Sequence, residues 1–203
     1  MANDVVHVVD DDVDVRKSLG FLLATADFAV RLHESATAFL APEPKEIDGC
    51  IVTDVRMPGI DGIEFLRQLK ARGLNAPVIV MTGHADVALA VQAMKEGAAD
   101  FIEKPFDDQV LIDAIRSALD HRSQPVAAHP QSAGIRKNLA TLSERERQVL
   151  DGLVSGLPNK TIAYDLGISS RTVEIHRANV MSKMGASSLS HLVRMALIAD
   201  PKS

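Results

Sequence analysis

Five short runs of largely β-branched residues, each followed by a helical stretch, constrain the first 122 residues more than any other feature. Val5-Val6-His7-Val8-Val9 reads as a buried strand, with a helix expected from about Val13 to Ala26. Phe28 to Leu32 alternates as a second strand, and a short helix follows from about Ser35 to Ala41. Cys50-Ile51-Val52-Thr53 is the third, followed by a helix from Asp61 to about Arg72. Pro77 to Met81 is the fourth, with a helix from about Ala85 to Glu96. Ala99 to Ile102 is the fifth, and an amphipathic helix from Asp107 to His121 closes the series. Five βα units in succession predict an α/β fold, a parallel sheet covered by helices on both faces. Ligands of such sheets bind outside the carboxyl ends of the strands.

The pattern then stops. Residues 123–138 carry two prolines, a glycine and few large apolar side chains, and are expected to be a linker. Beyond it the chain reads as all helical. Ser143-Glu-Arg-Glu146 has capping-box form. A second helix is expected from about Lys160 to Leu166, ended by Gly167, and a third from the cap Ser169 to about Met184. Ser188 to Ala199 is the fourth. A chain of 203 residues suits two such domains, 1–122 and 139–203.

Charge divides at the same place. Residues 1–124 hold 12 Lys and Arg against 21 Asp and Glu, a net of −9; the remainder hold 10 against 6, a net of +4. An acidic half and a basic half suggest cation chemistry in one and a polyanion partner for the other. No apolar run is long enough to cross a bilayer, and the opening Met-Ala-Asn-Asp lacks the features of a secretory signal. The protein is expected to be cytoplasmic, with no membrane partner. The single cysteine, Cys50, excludes an internal disulfide and is expected to be a buried structural thiol.

Acidic residues collect at strand ends. Asp10, Asp11 and Asp12 follow the first strand and Asp54 ends the third; in the flavodoxin-like strand order these are neighbours. Converging carboxylates repel unless a cation intervenes, and a hard divalent ion such as Mg²⁺ is the simplest resolution. One of Asp12 and Asp14 is expected to cap the following helix. Thr82 closes the fourth strand and Lys104 follows the fifth, a hydroxyl and an ammonium suited to holding phosphoryl oxygens. The Lys104–Pro105 bond is a candidate for the cis form.

These residues, read as Val-Val-Asp10-Asp11-Asp12, Thr-Asp54-Val-Arg-Met-Pro58-Gly-Ile-Asp61-Gly62, Met-Thr82-Gly-His and Phe101-Ile-Glu-Lys104-Pro105-Phe, resemble the receiver-domain signature of two-component response regulators. The resemblance implies a doubly wound five-stranded receiver fold with Asp54 as the phosphoacceptor. It implies Mg²⁺ held by Asp11, Asp54 and the backbone carbonyl of Arg56, with Asp10 in support. It also implies Lys104 as the phosphate-pairing lysine, with Thr82 and Phe101 as the switch residues. A sensor histidine kinase would supply the phosphoryl group.

In the third C-terminal helix Val173, Val180 and Met184 share one face, and Arg171, Glu174, Ile175, Ala178 and Ser182 another. An isoleucine on a polar face suits contact with a thymine methyl, and small Ala178 allows close approach to a groove. Lys160, Arg171, Arg177 and Lys183 are candidates for phosphate contact. Leu142-Ser143-Glu-Arg-Glu146, Asn159-Lys160-Thr-Ile-Ala163 and Leu166-Gly167-Ile-Ser169-Ser-Arg-Thr172-Val173-Glu174-Ile-His176-Arg-Ala-Asn179 resemble the LuxR-type helix-turn-helix. That likeness implies a smaller all-α domain binding double-stranded DNA, with Glu174, Ile175 and Ala178 reading bases and Arg171 and Thr172 beside them.

The combination, with Ala93-Met-Lys95-Glu-Gly97-Ala-Ala-Asp100, resembles the FixJ subfamily of nitrogen-fixation regulators. It implies homodimerisation on phosphorylation, contact with RNA polymerase, and activation of nitrogen-fixation or oxygen-responsive genes. The alternatives are the same mechanism in another pathway, or a Mg²⁺-dependent aspartate-nucleophile phosphohydrolase. Such enzymes want a second acid two residues after the nucleophile, where this chain has Arg56. The expectation is therefore a phosphoacceptor that at most catalyses its own phosphorylation and dephosphorylation. A relay protein without a DNA target is disfavoured by the helix-turn-helix.

Overall fold

The computed structural model describes residues 4–44, 46–83, 87–122 and 131–199. Two compact units emerge, one holding the sheet and the other the C-terminal helices. The elements of the first are β1 (Val5–Val9), α1 (Val13–Thr25), β2 (Ala29–His33), α2 (Ala36–Leu40), β3 (Cys50–Asp54), α3 (Gly62–Ala71), β4 (Val78–Thr82), β5 (Asp100–Glu103) and α5 (Asp108–Arg122); α4 (Val87–Glu96) joins β4 to β5. All strand pairs are parallel, in the order β2-β1-β3-β4-β5. This is the doubly wound α/β arrangement expected from the five βα units. The expected start of α4 at Ala85 lies outside the described residues.

Burial on both sides of a parallel sheet explains why the central strands are almost uninterrupted apolar runs. On one face Val6, Val8, Cys50, Val52, Ile79 and Met81 pack with Leu19 and Leu23 of α1 and Leu111 and Ile115 of α5. On the other, His7 and His33 stack on each other and meet the edge of Phe39 from α2, which in turn meets Phe65 from α3. Burial drives the His33 imidazole down to about 4, with His7 and Arg31 adding to the shift. Cys50 is fully buried, and burial raises its thiol to about 12, as a structural cysteine requires.

Helix starts follow local hydrogen bonding. Asp12 caps α1 through the amides of Asp14 and Val15, at 2.8 and 3.2 Å; it is Asp12 and not Asp14 that fills this role. Asp61 caps α3 through Glu64 N at 2.7 Å. The next residue, Gly62, lies so close to the Asp54 carbonyl that a Cβ there would overlap it.

The second unit contains α6 (Gln131–Ala140), α7 (Glu144–Val154), α8 (Asn159–Leu166), α9 (Ser170–Met184) and α10 (Leu189–Ala199). Here the structure corrects the expected linker over 123–138. Its second half forms α6, and Ile135 is buried with Leu150, Leu153, Val180 and Leu192 in the helical core. A stretch with one large apolar side chain per two turns gives little periodic signal, so only tertiary burial reveals it. Residues 123–130 lie outside the described residues.

The capping box is complete: Ser143 Oγ accepts from Glu146 N at 3.3 Å, and Glu146 Oε2 accepts from Ser143 N at 2.7 Å. Gly167 ends α8 at φ 66°, the left-handed turn that leads into Ser169, the cap of α9.

Two outcomes test this packing. Gly62→Ala should destabilise the receiver unit by about 1–3 kcal/mol in urea unfolding, because backbone must shift to admit the methyl. Glu146 is held at about 2, against a usual 4.5, by hydrogen bonds from Lys183 and Ser143. A depressed carboxylate stabilises the fold above the unfolded value and loses that contribution as pH falls. The melting-temperature gap between wild type and Glu146→Gln should therefore shrink as pH drops from about 4.5 to about 2.

Candidate functional site

Four strands of the parallel sheet end side by side, and each delivers one polar group to the same edge. Asp10 follows β1, Asp54 ends β3, Thr82 ends β4 and Lys104 follows β5. Register places Asp54 opposite Met81 and Thr82 opposite Glu103. Asp10, Asp54 and Thr82 are buried, at 2, 9 and 1% exposure. The Lys104 ammonium joins the two acids, 2.6 Å from Asp54 Oδ1 and 3.2 Å from Asp10 Oδ2. Lys104–Pro105 is cis, and the Lys104 amide donates to the Thr82 carbonyl at 2.7 Å.

The remaining carboxylate oxygens are occupied by backbone. Asp54 Oδ2 accepts from Arg56 N at 2.7 Å, and Asp10 Oδ1 accepts from Asp12 N at 2.9 Å. Burial pushes the Asp10 carboxyl above the usual carboxylate range, against the opposing pull of the Asp12 amide and Lys104. Burial works against the Lys104 ammonium, but the bonds and charges of Asp54 and Asp10 outweigh it and raise its pKa.

The sequence pattern did not single out Arg16. Its Nη1 donates to the Asp10 carbonyl at 2.6 Å, tying the β1–α1 turn to α1. An arginine on a helix of mixed character offers no periodic clue to such a backbone contact. Asp11, expected as a direct metal ligand, is exposed and makes none of these contacts. Phe101 is half-buried on β5.

Among the described residues no three acids, histidines or cysteines gather as a ready metal cage. The donor chemistry still fits a hard cation. Two carboxylates, one of them buried at 2% exposure, already converge on a single positive charge, and exposed Asp11 follows Asp10 in the chain.

In the helical unit, Arg171, Glu174, Ile175, Ala178 and Ser182 are all exposed along α9, while Val173, Val180 and Met184 are buried. Ile175 stands 55% exposed, a large apolar side chain without cover. Lys160 is exposed on α8. Thr172 is half-buried, its hydroxyl 2.8 Å from Ser169 Oγ and its amide donating to the same oxygen, so it belongs to the cap of α9. Arg177 is half-buried on the flank towards the core. Lys183, expected with the phosphate-contacting cations, is ion-paired with Glu146 at 2.7 Å. It lies in the last turn of α9, where it meets the start of α7. No described helix is long and apolar enough to cross a membrane.

Comparison with known proteins identifies the domain that each unit forms. Residues 6–116 match the response regulator receiver domain, and residues 140–196 match the bacterial regulatory proteins of the luxR family. The chain is 58% identical to the transcriptional regulatory protein FixJ of Rhizobium meliloti, over 97% of each protein. It is 60% identical to FixJ of Azorhizobium caulinodans, over 96% of this chain and 92% of that protein. The crystal structure of full-length FixJ from B. japonicum is 49% identical, with a TM-score of 0.59 and all of both chains covered. The chain therefore belongs to the response-regulator family: it is a two-component transcriptional regulator with a receiver domain followed by a LuxR-type DNA-binding domain.

Proposed function

We propose that Asp54 accepts a phosphoryl group from a sensor histidine kinase and that the resulting change in the receiver controls DNA binding by α8 and α9. The observation that carries this reading is the Lys104 ammonium lying between the buried carboxylates of Asp10 and Asp54. An Asp54 oxygen attacks the phosphorus of the kinase phosphohistidine. The P–O bond forms as the P–N bond breaks, and the imidazole leaves with the electron pair. Catalysis of such a loose transfer is mainly positioning and charge stabilisation.

Each residue has a part in that positioning. The Arg56 amide holds Asp54 Oδ2 in place, leaving Oδ1 beside the ammonium. Lys104 offsets charge on the phosphoryl oxygens. Asp10, Asp11, Asp54 and the Arg56 carbonyl would hold Mg²⁺, which supplies further neutralisation of the transferring group. The Thr82 hydroxyl, on the strand beside Asp54, would turn towards the acyl phosphate, and Phe101 would then turn inward from its half-buried place on β5. The changed α4–β5 face would pair two receivers, which suits the two-fold half-sites that helix-turn-helix dimers read.

On DNA, Glu174, Ile175 and Ala178 would meet base edges, with Arg171 and Thr172 beside them and Lys160 and Arg177 on phosphates. Identity of 58–60% to FixJ transcriptional regulatory proteins over nearly the whole chain supports transcriptional regulation as the output. The targets in this proposal are nitrogen-fixation or oxygen-responsive genes, with RNA polymerase recruited there.

Asp54→Asn should abolish labelling by a kinase or acetyl phosphate with the fold intact, because an amide is a poor nucleophile. Sedimentation should show wild type becoming a dimer on phosphorylation and the variant staying monomeric; undiminished labelling would reject Asp54. Ile175→Ala should relax preference at one base pair by on the order of 1 kcal/mol while leaving the salt dependence of binding unchanged, since a methyl contact releases no counterions. Binding titrations at several salt concentrations check it.

A further inference from the structure

The last turn of α9 is held by three separate segments. Glu146 Oε2 accepts from the Lys183 ammonium and from the Ser143 amide, each at 2.7 Å. One oxygen thus serves both the N-terminal cap of α7 and the far end of α9. The Glu146 side chain is only 6% exposed, against 40% for Lys183. Lys183 also reaches the Thr141 carbonyl at 3.4 Å, and Asn138 of α6 donates to the Met184 carbonyl at 3.3 Å.

An exposed ion pair contributes little by itself. The Glu146 side chain is largely covered, so losing either donor leaves one of its oxygens under-bonded, which costs more than an exposed pair is worth. Lys183 also lies about 80° round the helix from Ile175, two turns further on. Its charge is directed to the protein's own carboxylate, not along the exposed face.

We propose that Glu146 and Lys183 are positioning residues for DNA reading. Their bond sets the angle and depth of α9, so that Arg171, Glu174, Ile175 and Ala178 meet base edges, and Lys183 makes no phosphate contact of its own. Recognition contacts need placement to within about 0.5 Å, and a helix fixed only by its apolar face can still roll. This proposal rests on the DNA-binding reading of α9.

The test uses full-length protein and two duplexes: one selected by wild type from a random pool, and a scrambled version of it. All titrations run well below each variant's melting temperature, so loss of folded protein does not enter. Lys183→Met and Glu146→Gln should each lower the selected-to-scrambled affinity ratio about tenfold, comparable to one mismatched base pair, with the salt slope unchanged. Lys183→Arg, which keeps the pair, should retain the ratio.

Three results would overturn the proposal. Lys183→Met could weaken both duplexes alike and lower the salt slope by about one, the mark of a phosphate contact. Glu146→Gln could strengthen binding, the mark of a lysine released to DNA. Both variants could keep the wild-type ratio. Failure of wild type to select any duplex is a separate outcome, which would remove the DNA-binding reading itself.

Discussion

One ammonium between two buried carboxylates organises the receiver unit. Asp10 and Asp54 come from strands that are neighbours in the sheet, and each lies within 3.2 Å of Lys104 Nζ. Without that charge the two buried acids would repel. Lys104 is 94 residues from Asp10 and 50 from Asp54 in the chain, so no local structure brings the three together. Only a parallel sheet with crossovers delivers the ends of β1, β3, β4 and β5 to one place. The apolar strands exist to build that sheet, and the polar residues begin where the apolar runs stop.

The backbone around the pocket follows from the same demand. Amides of Asp12 and Arg56 take the carboxylate oxygens that Lys104 leaves, and Arg16 secures the Asp10 carbonyl. Gly62 allows the start of α3 to pass beside the Asp54 carbonyl. Both oxygens of the Asp54 carboxylate are therefore held by donors from the surrounding chain, an orientation that suits the proposed phosphoryl transfer by positioning.

The helical unit solves a different problem with a similar device. Helix α9 leaves one face bare and still has to be held firmly. Val173, Val180 and Met184 anchor its inner face, and the shared Glu146 oxygen ties its end to the cap of α7. Ile175 and its neighbours can then stay exposed without the helix losing its place.

Much of this was legible in the chain itself. The period of the apolar runs determined the order of strands and helices through α5, because a strand buried on both faces leaves a continuous apolar signature. Capping residues Asp61, Ser143 and Ser169 marked helix starts through purely local hydrogen bonds. The polar residues at strand ends named the acidic pocket, since position in a parallel sheet dictates where they converge. Three assignments waited for tertiary structure. Ile135 makes α6 part of the core, Lys183 turns to Glu146, and Arg16 reaches the Asp10 carbonyl. Each depends on a long or isolated side chain finding a partner far away in the chain. Sequence periodicity records which face a residue occupies; only packing decides which distant group that side chain meets.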